Sequence, residues 1–255
     1  MQGIELIAHR GASHDAPENT LAAFRLAWET GADGIEGDFR LSRDGQIVCL
    51  HDTTTGRTAG ISLTVADTTL ARLRELDVGA LYGPLWRDER IPTLQEVIAT
   101  VPPGKKLFIE LKSGPEILLP LAALLAGADL DPRQVGILAF SEEVITAARR
   151  QLPRVKALWL TNSLRERDGD SRTSVIETVL STLERTGASG LSCRARHAID
   201  APFVQALHAA GREFHVWTVD APRTAARFAA LGADSVTTNR PGWLRARLLE
   251  AAQGS

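Results

Sequence analysis

Two acidic residues share one face of a short apolar segment near the start of the chain. Glu36 and Asp38 lie in the segment 34–39, which otherwise contains glycine, isoleucine and phenylalanine. Successive side chains of a strand point to opposite faces, so a strand here would hold both carboxylates on one side. Burying two such charges together is unfavourable unless a positive charge lies between them. The spacing therefore favours a bound divalent metal ion.

A third acid could complete this metal site. Glu110 lies in the segment 105–112, on the same predicted strand face as Lys112. Three carboxylates make an all-oxygen ligand set, which favours Mg²⁺ or Ca²⁺ over zinc. The alternative is a structural ion-pair network, in which Arg10 or Lys112 neutralises the acids without a metal. The two interpretations are compatible, because both cations could also bind an anionic substrate.

Two histidines come at points where predicted strands end. His9 is followed by Arg10, and His51 is followed by Asp52. Histidine exchanges protons near neutral pH, and catalytic groups collect at the carboxyl ends of strands in parallel barrels. We therefore predict that His9 and His51 are an acid and a base, although the sequence does not say which is which. The alternative for a histidine at such a point is a turn residue without a catalytic role. Asp52 could orient His51 or cap a turn.

The segments that carry these residues alternate between predicted strands and helices. Asn19 is predicted to cap the first helix, and Asp44-Gly45 predicts a hairpin that places His51 beside the strand of Glu36. Later periodicity predicts helices at 93–100, 116–125, 142–151, 175–185, 201–210, 223–231 and 242–250, and strands at 107–112, 135–140, 155–160, 189–193, 213–219 and 235–238. Helix C-terminal caps are predicted at Gly187, Gly211 and Gly232. Eight strand-helix units, with the hairpin in the second, predict a TIM (β/α)8 barrel.

Two regions interrupt this alternation within a predicted single domain of residues 1–255. Residues 53–90 lose the periodicity and carry the bulky pair Tyr82 and Trp86, so we predict a small insertion that caps the site. It could contact the substrate directly or serve only as a structural flap. The polar loop 161–171 is the predicted mobile segment of the second half.

Composition limits the classes of protein to which the chain can belong. Of its 255 residues, 44% are hydrophobic, which is enough for a substantial core. The formal net charge is -2 and the basic residues are dispersed, so nucleic-acid binding is not expected. Cys49 and Cys193 are the only cysteines and cannot form a disulfide framework. The sequence shows neither a signal peptide nor an apolar run of transmembrane length, which predicts a cytoplasmic protein without a membrane span.

Seven short motifs occur in the order and approximate spacing of the glycerophosphodiester phosphodiesterase family. They are His9-Arg10-Gly11, Pro17-Glu18-Asn19-Thr20, Glu36-x-Asp38, His51-Asp52, Ile91-Pro92-Thr93-Leu94, Glu110-x-Lys112 and Trp217-Thr218-Val219. The chain resembles this family from about Ile4 to Leu248. One departure is Asn239, where many members carry an aspartate, and we expect it to contact no residue with a chemical role.

The resemblance implies a TIM barrel that hydrolyses glycerophosphodiesters to glycerol 3-phosphate and an alcohol with Mg²⁺ or Ca²⁺. In the family the counterpart of Trp217 lies along the substrate pocket, and variation in the region of 53–90 is associated with substrate choice. The predicted site thus has three groups. They are the catalytic pair His9 and His51, the substrate-binding residues Arg10, Lys112 and Trp217, and the metal ligands Glu36, Asp38 and Glu110.

Two other functions are alternatives to this prediction. A phosphodiester lyase would form a cyclic phosphate instead of opening the bond with water, but such relatives are secreted with disulfides, which two cysteines do not match. A non-catalytic barrel that binds phosphorylated ligands should have lost at least one essential group, and every group is present. The expected partner is therefore a small glycerophosphodiester. The sequence does not indicate its head group, the preferred metal or the oligomeric state.

Overall fold

Nine strands form a single sheet in the computed structural model, which describes residues 4–162, 164 and 172–253. They are β1 Glu5–His9, β2 Gly34–Leu41, β3 Ile47–Cys49, β4 Lys106–Leu111, β5 Val135–Ala139, β6 Lys156–Thr161, β7 Gly190–Arg194, β8 Glu213–Trp217 and β9 Ser235–Thr238. Eight of these are parallel and close into a ring, because β1 pairs with both β2 and β9. The remaining strand, β3, lies outside the ring and pairs antiparallel with β2. The predicted TIM barrel is confirmed.

Most helices follow a strand along the chain and pack on the outside of the ring. The helices are α1 Leu21–Glu29, α2 Gly56–Ala59, α3 Leu70–Leu73, α4 Leu94–Ile98, α5 Leu118–Ala126, α6 Glu142–Gln151, α7 Arg172–Thr186, α8 Ala201–Ala209, α9 Pro222–Leu231 and α10 Pro241–Gln253. Short 3₁₀ turns lie at Val65–Asp67, Pro84–Trp86, Pro115–Ile117 and Pro132–Gln134. The predicted boundaries of the later elements agree with these to within a few residues. Within the described ranges, none of the helices combines the length and the apolar character that crossing a membrane requires.

Two apolar layers hold the barrel together. Outward side chains of the strands, such as Leu6 and Ile35, join the main core beneath the helices. Inward side chains, such as Ile7 and Leu158, fill the ring together with Phe108. Each large apolar side chain buried in this way contributes about 1.5–3 kcal/mol, so the core can stabilise the fold without help from the polar site.

The predicted cap of the first helix is wrong. Thr20, not Asn19, is the N-cap of α1, because its hydroxyl accepts a hydrogen bond from the backbone N–H of Ala23. Asn19 adopts a positive φ of 59°, a conformation that asparagine tolerates better than most residues. Its side chain then points away from the helix and donates to Asp38 Oδ2 at 2.9 Å. The asparagine therefore serves the carboxylate site.

The predicted turns have the expected backbone conformation. Gly45 joins β2 to β3 with φ of 73°, and Phe39 pairs with Cys49 across the hairpin. Positive φ angles also occur at the glycines that end three of the helices, Gly187, Gly211 and Gly232. A left-handed residue at this point ends a helix and glycine adopts it without a steric penalty.

Residues 53–90 contain α2, α3 and two 3₁₀ turns, and pack on the barrel through a separate apolar cluster. Val65 and Leu73 belong to this cluster with Val48 of β3. Tyr82 donates a hydrogen bond from its hydroxyl to the backbone oxygen of His14, at 2.5 Å. The apolar cluster and this hydrogen bond both attach the segment to the rest of the chain. Most of the loop 161–171, for which mobility is predicted, lies outside the described residues.

Candidate active site

Three carboxylates from two neighbouring strands meet inside the carboxyl end of the barrel. Glu36 and Asp38 come from β2 and Glu110 from β4, and the parallel register places Asp38 directly opposite Glu110. One oxygen from each residue lies within 4.8 Å of the other two. All three residues are buried, with at most 8% of their surface exposed. The strand faces that the sequence predicted for these acids are thus brought together.

The carboxylates are not equivalent in their surroundings. Burial, reinforced by the charges of Asp38 and Glu110, raises the pKa of Glu36 well above its usual value. Burial, followed by the charge of Asp38, also raises the pKa of Glu110. Burial alone would raise the pKa of Asp38 too, but the Lys112 and Arg10 cations lower it below its usual value. Asp38 is therefore the acid whose charge the protein itself compensates.

Two cations and an amide account for that compensation. Lys112 Nζ lies 3.1 Å from Asp38 Oδ1 and also pairs with Glu110 Oε1. Arg10 Nε lies 3.1 Å from Asp38 Oδ2, and Asn19 donates to the same oxygen. The ion-pair network that the sequence left open as an alternative therefore exists. It does not satisfy every acid.

Glu36 supplies the observation that bears on a metal. One of its oxygens, Oε2, accepts a hydrogen bond from the backbone N–H of Arg10 at 3.0 Å. The other, Oε1, is buried and has no hydrogen-bonding partner among the described residues. An unpartnered buried carboxylate oxygen is costly, and a divalent cation would relieve that cost. The three acids thus fit an oxygen-ligated divalent metal.

His9 ends β1 and lines the cavity above the carboxylates. Its Nδ1 lies 2.7 Å from Asn239 Oδ1. Burial, followed by the charge of Arg10, lowers its pKa below 6.5. The expectation that Asn239 contacts no residue with a chemical role is therefore wrong. Asn239 directly follows β9, which neighbours β1 in the closed ring, so the two strand ends meet.

His51 reaches the same cavity from the end of the hairpin. Its Nδ1 lies 2.7 Å from Asp52 Oδ1. Hydrogen bonds from Arg57, and then from His51, lower the pKa of Asp52 to about 2. Arg40, on β2, donates to the backbone oxygen of His51 at 2.6 Å and so fixes the chain at this point. Asp52 thus contacts the His51 ring, as expected if it orients that histidine.

Arg57 connects the two sides of the site, and sequence reasoning missed it. Its Nε lies 2.7 Å from Asp52 Oδ2 and its Nη1 lies 2.8 Å from Glu18 Oε2. Glu18 in turn pairs with Arg10 at 2.9 Å. A helix of the 53–90 segment thus contacts the partner of His51 and the partner of Arg10 at once. The motif 17–20 contained a signal for Glu18, whereas nothing in the local pattern distinguished Arg57.

The cavity between these residues has a volume of about 230 Å³. Its lining includes the predicted residues His9, Arg10, Glu36, His51, Glu110, Lys112 and Trp217, while Asp38 is outside the lining. An aromatic wall is formed by Phe140 and Trp217, whose rings meet edge to face at 6.0 Å. A larger cavity of about 600 Å³, lined in part by Glu5, Lys106 and His215, opens at the amino end of the strands, away from the predicted chemistry. The positions of the predicted site residues therefore identify the smaller cavity as the candidate active site.

The comparisons with known proteins agree with one another. Residues 9–243 match the model of the Glycerophosphoryl diester phosphodiesterase family. A putative glycerophosphodiester phosphodiesterase of Bacillus subtilis is 33% identical over 242 residues, which are 94% of this chain and 96% of that protein. A probable glycerophosphodiester phosphodiesterase 1 of Mycobacterium tuberculosis is 32% identical, over 95% and 92% of the two chains. The structure of an Oleispira antarctica phosphodiesterase in complex with the product sn-glycerol-3-phosphate is 27% identical, covers 98% and 96% of the two chains and has a TM-score of 0.84.

Proposed function

Since the chain belongs to the glycerophosphoryl diester phosphodiesterase family, we propose that it hydrolyses glycerophosphodiesters to glycerol 3-phosphate and an alcohol with a bound Mg²⁺ or Ca²⁺. The observation that carries the proposal is that two histidines, two cations and two acids line one cavity, and that the third acid, Asp38, lies within 4.8 Å of the other two. The non-catalytic alternative is disfavoured because every site residue predicted from the sequence lies at this cavity or in contact with a residue that lines it. We assign the metal to Glu36, Asp38 and Glu110.

The remaining groups fit the needs of phosphodiester cleavage. A bound divalent cation would neutralise charge on the phosphate oxygens. Arg10 and Lys112 add two positive charges at the same place and stabilise the charge that develops on these oxygens. Lys112 Nζ also lies 5.8 Å from the centre of the Phe140 ring, so this cation contacts both the acids and the aromatic wall. We assign substrate binding to Arg10, Lys112 and Trp217.

We assign proton transfer to His9 and His51. One histidine removes a proton from the attacking oxygen as its bond to phosphorus forms, and the other protonates the leaving alcohol as the old P–O bond breaks. The attacking group is either water or the glycerol hydroxyl next to the phosphorylated carbon. Attack by the hydroxyl is intramolecular and gains from proximity, with effective molarities of roughly 10⁵ M in well-oriented cases. We therefore expect a five-membered cyclic phosphate that water opens before release.

The proposed function is tested with glycerophosphocholine and glycerophosphoethanolamine in the presence of Mg²⁺ or Ca²⁺. Phosphorus NMR of a reaction in ¹⁸O-labelled water should show labelled glycerol 3-phosphate as the end product, because water supplies the last oxygen in either route. Accumulation of the cyclic phosphate would instead identify a lyase. Rapid turnover of an analogue without the neighbouring hydroxyl would show that direct attack by water is enough. No turnover with either metal would contradict the proposal.

The proposed role of residues 53–90 as a cap gives a separate prediction. Arg57→Ala removes the links to Glu18 and Asp52, which we expect to lower kcat/KM by about fivefold, since exposed ion pairs contribute up to about 1 kcal/mol. Steady-state kinetics should be compared with Arg87→Ala, an exposed arginine of the same segment. Equal values of kcat/KM for the two variants would indicate that the segment is only a structural flap.

A further inference from the structure

Asn239 is the residue that links the proposed catalytic centre to the carboxyl end of β8. Its side-chain Oδ1 lies 2.7 Å from His9 Nδ1, and its Nδ2 donates to Asp220 Oδ2 at 2.8 Å. Ser13 Oγ lies 2.7 Å from the backbone oxygen of His9 and 3.1 Å from Asn239 Oδ1. These contacts form a chain from Asp220 through Asn239 to the histidine, which lies 230 positions away in the sequence.

The orientation of the Asn239 amide follows from its neighbours. The carboxylate of Asp220 only accepts hydrogen bonds, so the NH₂ group must face it. The opposite orientation would place two acceptor oxygens 2.8 Å apart. Asp220 is itself held in place, because its Oδ1 accepts from the backbone N–H of Asn239 and from the hydroxyl of Thr238, both at 2.8 Å. The amide oxygen is thus fixed toward His9.

This orientation decides where His9 carries its hydrogen. An amide oxygen cannot donate, so the short contact with His9 requires a hydrogen on Nδ1. The neutral ring then keeps its lone pair on Nε2, which has no hydrogen-bonding partner among the residues that the structure describes. We propose that Asn239, anchored by Asp220, is a positioning residue that fixes His9 in the Nδ1–H tautomer and thereby makes Nε2 the nitrogen that exchanges protons with the substrate. The catalytic part of this inference rests on the proposed function.

The tautomer is measured directly by long-range ¹H–¹⁵N NMR of the metal-free protein at about pH 8, where an ordinary histidine is neutral. The His9 signals are identified by their loss in His9→Ala. We expect a protonated Nδ1 and an unprotonated Nε2 in the wild type, and a mixed or reversed pattern in Asn239→Ala. Because the measurement needs neither substrate nor metal, it stands even when the proposed function fails. A protonated Nε2 in the wild type would overturn the inference.

A control is provided by a histidine and acid pair outside the site. His208 Nε2 lies 3.1 Å from Asp234 Oδ2. Neither residue lines the candidate active site, and Asp234 lines the larger cavity at the amino end of the strands. Asp234→Asn should alter the His208 signals and leave those of His9 unchanged. A change at His9 in this variant would show that its tautomer responds to general disturbance of the barrel and would count against the role of Asn239.

Exchanging the acid and the amide gives a test that does not depend on loss of a contact. Asn239→Asp places a second carboxylate against Asp220, so we expect it to disturb the tautomer. Adding Asp220→Asn restores a donor facing an acceptor, since the amide introduced there would donate to the new carboxylate, which then accepts from His9. The double variant should recover the wild-type tautomer. Failure to recover the wild-type tautomer in a folded double variant would contradict the positioning role of Asn239.

Kinetics then separate positioning from substrate binding. Asn239→Ala should lower kcat by about tenfold or more, because acid and base catalysis contributes roughly 10²–10⁴-fold and depends on the correct proton position. KM should change by less than about twofold, since Asn239 is not among the residues that line the cavity. The Asn239→Asp and Asp220→Asn pair should recover most of kcat. A raised KM with an unchanged kcat would assign Asn239 to substrate binding instead.

Discussion

Glu36→Gln should weaken the binding of Mg²⁺ and Ca²⁺ by at least about tenfold while leaving the metal-free protein as stable as the wild type or more stable. The loss of metal affinity and the unchanged or higher stability of the metal-free protein have the same cause. Glu36 Oε1 is buried without a partner among the described residues, and burial with two neighbouring acids raises the pKa of Glu36. Without a cation its charge is unfavourable, and with a cation that charge becomes part of the ligand set.

Isothermal titration calorimetry measures the first effect and thermal unfolding in a chelator measures the second. Glu5→Gln is the matched control, because Glu5 pairs with Lys106 at the amino end of the barrel and should not affect metal affinity. Excess chelator should also abolish turnover of the wild type. Full activity in the chelator, or unchanged metal affinity in Glu36→Gln, would leave the three acids as a structural ion-pair network.

His9→Ala and His51→Ala should each lower kcat by about a hundredfold or more, because each removes one of the two groups that move protons. The double variant should lose much less than the product of the two single losses, since the two histidines act as a unit. Steady-state kinetics of the three variants test this. His208→Ala is the control, because its ring pairs with Asp234 outside the cavity.

The dependence of the rate on pH tests the role of His9 in a second way. Burial and the charge of Arg10 lower the pKa of His9 below 6.5, so its neutral form persists at lower pH than in an ordinary histidine. The rate should rise and fall with pH, and a limb that depends on neutral His9 should lie below pH 6.5. An ordinary kcat in His51→Ala would move the second proton-transfer role to another group, such as Glu18 or a metal-bound water.

The barrel and the main chemical groups were predictable because their signals are local. Alternation placed Glu36 and Asp38 on one strand face, and helical periodicity separated the strands from one another. In a parallel barrel the carboxyl ends of all strands meet at one face. Residues at strand ends, such as His9 and Lys112, therefore had to lie near one another once the barrel was predicted. Which contacts they make was not implied.

Those contacts depend on closure of the ring and on side-chain orientation. His9 and Asn239 are 230 positions apart in the sequence, and pairing of β1 with β9 brings them together. Arg57 is equally inconspicuous in the sequence, and reaches the site only because α2 packs beside the end of the hairpin. The sequence by itself determined the fold and the kinds of charged groups at the site. Only the tertiary structure decided which atoms those groups face, because hydrogen bonds between distant segments depend on the packing of the whole barrel.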